Sequence, residues 1–163
     1  MQTIFTPWRF EYISSSADQE GCFFCQAAAD PDDQTRLVVF KGASYLVVLN
    51  RYPYTNGHLM VAPVEHVSDP QDSDSAARDE FWPLVLKCKR VLRRAYDPHG
   101  FNMGLNLGRA AGAGVPGHFH FHIVPRWDGD TNFMTVLGSV RLVPEDPEEV
   151  VEKLRPLFSS EED

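Results

Sequence analysis

Three histidines alternate with apolar residues in the segment GHFHFHIV, at positions 118, 120 and 122. Successive side chains of a β-strand point to opposite faces of a sheet, so a strand over 118–124 would place all three imidazoles on one face. Its other face would carry Phe119, Phe121 and Ile123 into a core. Neighbouring imidazoles would lie roughly 6.5–7 Å apart. This spacing suits groups that act along an extended substrate, or groups divided between two tasks, better than three ligands of one small ion.

The loop before these histidines reads AAGAGVPG, at 110–117. Glycine lets the backbone approach a ligand closely, and successive backbone amides can form a concave anion site. An anion site beside a row of imidazoles fits phosphoryl or nucleotidyl transfer, in which histidine acts as nucleophile or general acid because its pKa lies near neutrality. The competing interpretation is a metal centre with the three histidines as ligands. The spacing alone leaves both open.

Two cysteines in GCFFC, Cys22 and Cys25, have the spacing of a zinc half-site. His66 follows a predicted strand and is a candidate third ligand, and His118 is a candidate fourth. A redox pair is a further possibility, but no thioredoxin-like βαβ pattern surrounds the two cysteines. The remaining alternative is two buried free cysteines in an apolar patch. His58 begins a predicted strand, from which it could support the histidine row.

Composition limits the classes of protein that this chain can represent. Its 163 residues are 43% hydrophobic, which predicts a single globular domain over 1–163. The net charge of −8 argues against long nucleic acids as partners, although it allows a small phosphorylated ligand. No apolar run approaches the ~20 residues of a membrane span, and the start MQTIFTPWRFEY lacks the features of a secretory signal. We therefore expect a cytoplasmic protein with no membrane partner.

The order of predicted elements indicates an α+β domain. Apolar spacing predicts a long helix over 77–96, in which Pro83 would cause a kink or mark a nearby start. A second, shorter helix is expected at about 146–158, with Asp146 as N-cap, before an acidic tail at 159–163. The predicted strands lie at 36–40, 44–50, 58–64, 100–108, 118–124 and 136–143.

Together these segments resemble the histidine triad (HIT) superfamily, whose motif His-x-His-x-His HFHFHIV matches. The resemblance extends over roughly residues 6 to 140, through the blocks TPWRFEYI, GCFFC, NRYPYTNGHLMVAPVEHV, GFNMGLNLGRAAGAGVPGH and PRWDGDTNF. They are most similar to a bacterial branch of diadenosine tetraphosphate phosphorylases and hydrolases. The resemblance implies a HIT-like fold with a core over about 6–143, an antiparallel sheet of about five strands, one long and one shorter helix, and a homodimer or higher homo-oligomer.

The family pattern also implies roles for individual residues. His120 would attack the α-phosphorus of a nucleotide and form a nucleotidyl-histidine intermediate, and His122 would position the phosphate or protonate the leaving group. His58 would support them, and His118 would join Cys22, Cys25 and His66 around a structural zinc ion. No organic cofactor is implied. Further candidate contacts to the nucleotide or its phosphates are Asn50, Asn106, Gly112, Ala113, Gly114, Val115 and Trp127.

Some family features narrow the expected activity. A third histidine, where some transferases of the superfamily carry glutamine, favours hydrolase or phosphorylase chemistry. The serine and glutamine of the commonest hydrolase loop are missing, so backbone amides would bind the phosphate. Phe40 and Leu49 are candidates for a base slot, and Asn132 and Phe133 for the cleft wall.

The expected substrate is a dinucleoside polyphosphate, cleaved by hydrolysis or phosphorolysis. The alternatives are a nucleoside phosphoramidase or nucleoside-monophosphate hydrolase, a non-catalytic nucleotide sensor, and a metal-dependent hydrolase.

Overall fold

The computed structural model describes residues 21–131 and 143–161. The block at 6–13 lies outside these residues, as do Asn132, Phe133 and all but the last residue of the predicted strand at 136–143. No helix in the described part of the chain is long and apolar enough to cross a membrane.

The described residues form one antiparallel sheet of five strands in the order β1-β2-β3-β5-β4. The α+β class and the five-stranded sheet are confirmed. The strands are β1 Val38–Lys41, β2 Tyr45–Leu49, β3 Leu59–Pro63, β4 Gly100–Leu105 and β5 Phe121–Arg126. A hairpin joins β1 to β2, as the two β-branched runs predicted. Strand β5 pairs with β3 on one side and β4 on the other, so the residues of β5 lie within the sheet.

The two faces of the sheet bury two separate cores. Alternate residues of the central strands, such as Val47 and Ile123, face the larger core, which is covered by the helices α2 Ser75–Tyr96 and α3 Pro147–Ser160. Intervening residues such as Val48 and Met60 face a smaller core, covered by the short helix α1 Phe23–Ala29. Because successive side chains of a strand point to opposite faces, one set enters the core under α2 and α3 and the other set faces α1.

Helix α1 was not predicted from the sequence, which indicated only one long and one shorter helix. It has seven residues, with Cys22 at its N-cap position. Phe24, Ala27 and Ala28 are buried at the helical spacing i, i+3, i+4. Two turns give too short a periodic signal to distinguish a helix from a loop. The helix places both cysteines of GCFFC at its N-terminal end.

Both predicted helices are present. Helix α2 begins two residues earlier than predicted because Asp74 caps it, accepting a hydrogen bond from the Ala77 amide at 2.7 Å. The helix continues through Pro83, whose side chain is exposed. Proline has no backbone N–H, so one carbonyl of the preceding turn loses its helical partner, and water can bond to it on this exposed face. Helix α3 begins at Pro147 with Asp146 as its N-cap, as predicted.

The histidine strand is shorter than predicted. Strand β5 begins at Phe121, because pairing with β3 and β4 reaches only to that residue. His118, which lies at a bend, and His120 precede the strand, yet Phe119 is buried in the helix-side core together with Phe121. The alternation of faces therefore continues beyond the hydrogen-bonded ladder. The three imidazoles share the α1 side of the sheet.

Candidate active site and metal centre

Four side chains meet where α1 begins, where β3 ends and where the glycine-rich loop ends. One nitrogen or sulfur atom from each of Cys22, Cys25, His66 and His118 lies within 4.8 Å of the others. The Nδ1 atom of His118 is 3.3 Å from Cys22 Sγ and 3.6 Å from Cys25 Sγ. Cys25 Sγ lies 3.2 Å from His66 Nδ1. These four residues could hold a metal ion.

The chemistry of this cluster fits tetrahedral zinc. Typical Zn–S and Zn–N lengths require sulfur and nitrogen ligands about 3.6 Å apart, close to the separations in the cluster. The other ring nitrogen of His118, Nε2, lies 2.8 Å from the Pro63 carbonyl oxygen. This oxygen can only accept a hydrogen bond, so Nε2 of His118 carries the proton. The Nδ1 lone pair of His118 therefore faces the two sulfurs, as a ligand oriented by a hydrogen bond requires. Four protein ligands leave no open position for a substrate.

His120 is fixed by the backbone two residues before it. Its Nδ1 lies 3.1 Å from the His118 carbonyl, so Nδ1 carries the proton and Nε2 keeps its lone pair. No group among the described residues bonds Nε2. The ring is 6% exposed and lies between Phe24 and His122, with both ring centroids 4.9 Å away. Burial lowers the pKa of His120, against the opposing effect of the bond to the His118 carbonyl.

His122 accepts a hydrogen bond from His58, which directly precedes the neighbouring strand β3. The Tyr54 amide donates to His58 Nδ1 at 3.1 Å, so the proton of His58 is on Nε2. His58 Nε2 lies 2.9 Å from His122 Nδ1 and donates to it. Neutral His122 must then carry its proton on Nε2, which no group among the described residues bonds. Burial, and then the proximity of His120, lower the pKa of His122 to about 4.

The two imidazoles therefore differ in what they offer to a ligand. His120 presents a lone pair on Nε2 and His122 presents a proton on Nε2. Their ring planes are close to perpendicular, at 76°. A nucleophile beside a proton donor is the arrangement that group transfer with a covalent intermediate needs.

A cleft of about 750 Å³ begins at His122 and follows the face shared by β4 and β5. Pairing of Gly104 with His122 and of Asn102 with Val124 places these four residues on its floor. Its lining residues are Tyr54, Thr55, Asn56, Asn102, Met103, Gly104, Leu105, Asn106, His122, Val124, Arg126, Trp127, Asp128, Gly129, Asp130, Thr131 and Pro144. His120 is not among them.

The sequence-predicted nucleotide contacts divide into three groups. Asn106 and Trp127 line the cleft. Asn50 lies behind His58, with its Nδ2 3.3 Å from His58 Nδ1, so its amide supports the tautomer of that ring. The third group, Gly112, Ala113, Gly114 and Val115, is in the glycine-rich loop, outside the cleft lining.

The glycine-rich loop approaches His120 from the α1 side. Val115 packs against the smaller core that contains Phe24, the residue in contact with His120. Gly112 has a φ of 86°, which favours glycine, and it ends a short 3₁₀ turn at Arg109–Ala111. The amides of Gly114 and Val115 donate to no backbone acceptor among the described residues. Such amides are suited to an anion, and phosphate binding by this loop stays a prediction.

Two expectations about the base slot are wrong. Leu49 is 3% exposed in the helix-side core, and Phe40 stacks on Phe158 with ring centroids 5.5 Å apart. Both lie on the side of the sheet opposite the imidazoles.

Most cleft residues were not among the predicted contacts, and Tyr54 and Arg126 are two of these. The alternation of the histidine segment continues through Val124 to Arg126, so the same period could have identified the arginine. Tyr54 lies in an irregular turn, for which no period exists.

The low pKa of His122 predicts a pH dependence of stability. Native His122 stays neutral down to about pH 4, whereas the unfolded side chain takes up a proton near the ordinary histidine pKa of 6.5. The stabilisation is therefore complete above about pH 6.5 and is lost as the pH falls towards 4, by up to about 1.4 kcal/mol per pH unit. We expect His122→Gln to reduce the slope of unfolding free energy against pH between 6.5 and 4.5, measured by urea denaturation.

The matched control is His99→Gln, because the side chain of His99 is 58% exposed. It should leave the slope unchanged. Parallel curves for the wild type and His122→Gln would contradict the assignment of a buried neutral imidazole at this position.

Known proteins match this chain in sequence and in fold. The HIT domain family matches residues 32–129. A Mycobacterium tuberculosis protein named AP-4-A phosphorylase is 38% identical over 152 residues, which are 89% of this chain and 78% of the relative. A Zn-bound histidine triad family protein from Mycobacterium smegmatis has a similar structure, with a TM-score of 0.67 and 28% identity over 88% of this chain and 95% of that one. A hypothetical histidine triad nucleotide-binding protein from Sulfolobus tokodaii has a TM-score of 0.68 and 25% identity over 85% of this chain and 92% of that one.

The matched domain covers more than half of the chain and contains β1 to β5, the glycine-rich loop and the histidine row. The relative from M. tuberculosis extends the sequence similarity beyond this domain. The chain belongs to the HIT domain family.

Proposed function

We propose that this protein cleaves dinucleoside polyphosphates of the diadenosine tetraphosphate type through a covalent intermediate on His120. The observation that carries the proposal is the complementary pair of tautomers: a lone pair on Nε2 of His120 next to a proton on Nε2 of His122. The name of the M. tuberculosis relative, AP-4-A phosphorylase, supports this class of substrate.

In the first step, His120 Nε2 forms a bond to the α-phosphorus of one nucleotide, and the bond from that phosphorus to the bridging oxygen breaks. The Nε2–H of His122 donates a hydrogen bond to the departing oxygen and stabilises its developing negative charge, so the polyphosphate leaves as an anion. The imidazole of His120 becomes positively charged, and the His118 carbonyl, which accepts a hydrogen bond from its Nδ1, stabilises this charge. The amides of Gly114 and Val115, with Asn106, bind the phosphate oxygens.

In the second step, water or inorganic phosphate attacks the phosphorus and the bond to His120 Nε2 breaks. Cleavage of this bond returns His120 to its neutral form. The proton of an attacking water passes to the released phosphate and then to solvent, whereas an inorganic phosphate anion attacks through an oxygen that is already deprotonated. The Nε2–H of His122 stays in place as a hydrogen-bond donor. His58 and Asn50 keep Nδ1 of His122 an acceptor throughout. Hydrolysis would give AMP and ATP from diadenosine tetraphosphate, whereas phosphorolysis would give ADP and ATP.

We propose a structural zinc ion in the cluster of Cys22, Cys25, His66 and His118. A bound zinc ion would join α1 to the end of β3 and to the residue whose carbonyl fixes His120. The M. smegmatis neighbour, described as Zn-bound, supports this proposal. A thiolate site needs reduced cysteines, which is consistent with a cytoplasmic enzyme.

The free edge of β4 supports a homodimer. Strand β4 ends the sheet, and its outer edge pairs with no strand among the described residues. Met103 on this strand is 39% exposed. A second copy that pairs there would cover the edge and extend the sheet. Light scattering should give twice the mass of the chain, and a monomer would contradict the proposal.

Trapping of the nucleotide on the protein tests the chemistry. Wild-type protein, mixed with α-labelled diadenosine tetraphosphate and quenched in alkaline denaturant, should retain label. His120→Gly should retain none and lose turnover by ~10³-fold or more, while it still binds nucleotide. His99→Ala is the control and should label like the wild type, because His99 is in an exposed turn. Labelled His120→Gly would show that another residue is the nucleophile.

The products identify the acceptor in the same experiment. ADP that forms only with added phosphate indicates phosphorolysis, and AMP without phosphate indicates hydrolysis. Nucleotide binding without label or product would favour the sensor alternative.

The metal site makes a separate prediction. Protein purified without chelator should hold one zinc ion per chain by elemental analysis, and its removal should lower the melting temperature. Cys25→Ser should lose the zinc, whereas Cys88→Ala should keep it because Cys88 lies in the helix-side core. Equal zinc content in the two variants would contradict the ligand assignment. Apoprotein that keeps its fold but has lost its metal-dependent turnover would favour the metal-dependent hydrolase.

A further inference from the structure

The position of the hydrogen-bond donor on His122 decides where the leaving half of the substrate must lie. Such a donor must come within hydrogen-bond distance of the departing oxygen that it stabilises. His122 carries the proton, and the cleft begins at His122 and excludes His120 from its lining. The half of the substrate that departs therefore extends into the cleft, and the half that stays on His120 lies on the side of the glycine-rich loop.

The cleft has the size of a nucleoside site. Three residues of β5, His122, Val124 and Arg126, point into it at every second position. The distance from His122 to Arg126 along the strand is about 13 Å. The volume of about 750 Å³ is within the range of sites that enclose small organic ligands. A polyphosphate chain that starts at His122 can reach the far end with a nucleoside attached.

The charges at the far end favour a neutral group over phosphate. Arg126 forms a two-point ion pair with Asp130 and also donates to Asn102. The guanidinium of Arg126 holds the pKa of the Asp130 carboxyl at about 2, so this carboxylate is ionised. Asp128 adds a second carboxylate to the lining. One guanidinium and two carboxylates would repel further phosphates, whereas the carboxylates can accept hydrogen bonds from ribose hydroxyls.

Tyr54 supplies an aromatic surface at the near end of the cleft. Its side chain is 46% exposed, and its ring lies over those of His58 and His122, with centroids 4.7 and 6.1 Å away. Trp127 lines the cleft as well, and its indole nitrogen donates to the Tyr96 carbonyl at 3.4 Å. Exposed aromatic faces bind nucleobases by stacking.

From these observations we infer that the cleft beyond His122 is the subsite for the departing nucleoside, and that Tyr54 determines specificity by stacking on its base. The inference rests on the proposed function and adds the orientation in which the substrate lies across the site. The first nucleotide binds on the loop side, and the second nucleoside binds between β4, β5 and the turn that contains Tyr54. Selectivity for dinucleoside over mononucleoside polyphosphates follows from this second site.

The test compares two substrates that differ only in the second nucleoside: diadenosine tetraphosphate and adenosine 5′-tetraphosphate. Tyr54→Ala should lower kcat/KM for the first by about tenfold and for the second by less than about twofold. Tyr54→Phe, which keeps the ring, should restore the preference. Tyr52→Ala is the matched control, because Tyr52 is 58% exposed in the same turn and does not line the cleft.

Each outcome bears on a different statement. Equal losses on both substrates would show that Tyr54 acts through His58 and His122, and no loss on either would show that it contacts nothing in the reaction. Both results overturn the inference and leave the proposed function intact. Absence of wild-type turnover of both substrates overturns the proposed function and this inference together.

Discussion

The imidazoles of His120 and His122 each have one ring nitrogen bonded to a partner whose role is fixed, and the proposed chemistry depends on this constraint. The His118 carbonyl can only accept a hydrogen bond, so His120 must carry its proton on Nδ1. The Tyr54 amide can only donate, so His58 must carry its proton on Nε2 and donate it in a hydrogen bond to His122. Backbone groups thereby decide which of the two adjacent rings presents a lone pair and which presents a hydrogen-bond donor, and the roles that we propose for them follow from this difference.

The two cores of the sheet make this arrangement rigid. Phe119, Phe121 and Ile123 anchor the segment in the helix-side core, between the histidines of the other face. Phe24 on α1 contacts both His118 and His120, with ring centroids 5.1 and 4.9 Å away. The burial that results lowers the pKa of His120 and His122 and keeps both rings neutral. Packing therefore preserves the lone pair on His120 that the proposed attack requires.

The candidate metal centre and the histidine row share a residue. His118 offers Nδ1 to the cysteines, its Nε2 to Pro63, and its carbonyl to His120. In the proposed function, the first histidine of the row therefore has a structural task and the second a chemical one. Three histidines at regular spacing in the sequence therefore have different hydrogen-bond partners in the structure.

Sequence periodicity was sufficient for the parts of the fold that repeat. The alternation of 118–123 predicted which side chains face the core, and the spacing in 77–96 predicted α2. Helix α1 was missed because seven residues carry too little pattern. The base slot at Phe40 and Leu49 was misplaced because a hydrophobic residue does not reveal which core it enters.

The tautomers were also beyond prediction from sequence. They depend on contacts between distant segments, such as the Tyr54 turn with His58 and His58 with His122 on another strand. Resemblance to the HIT family supplied the expected roles of the histidines, and the hydrogen bonds of the rings supply a physical reason to propose them.

The most direct test of this account is the protonation of the ring nitrogens, measured at neutral pH by ¹⁵N NMR of histidine-labelled protein. The expected result is a neutral His120 protonated on Nδ1, together with neutral His58 and His122 rings protonated on Nε2. A His120 ring that carries its proton on Nε2, or a His122 ring that carries it on Nδ1, would contradict the assignment of nucleophile and hydrogen-bond donor.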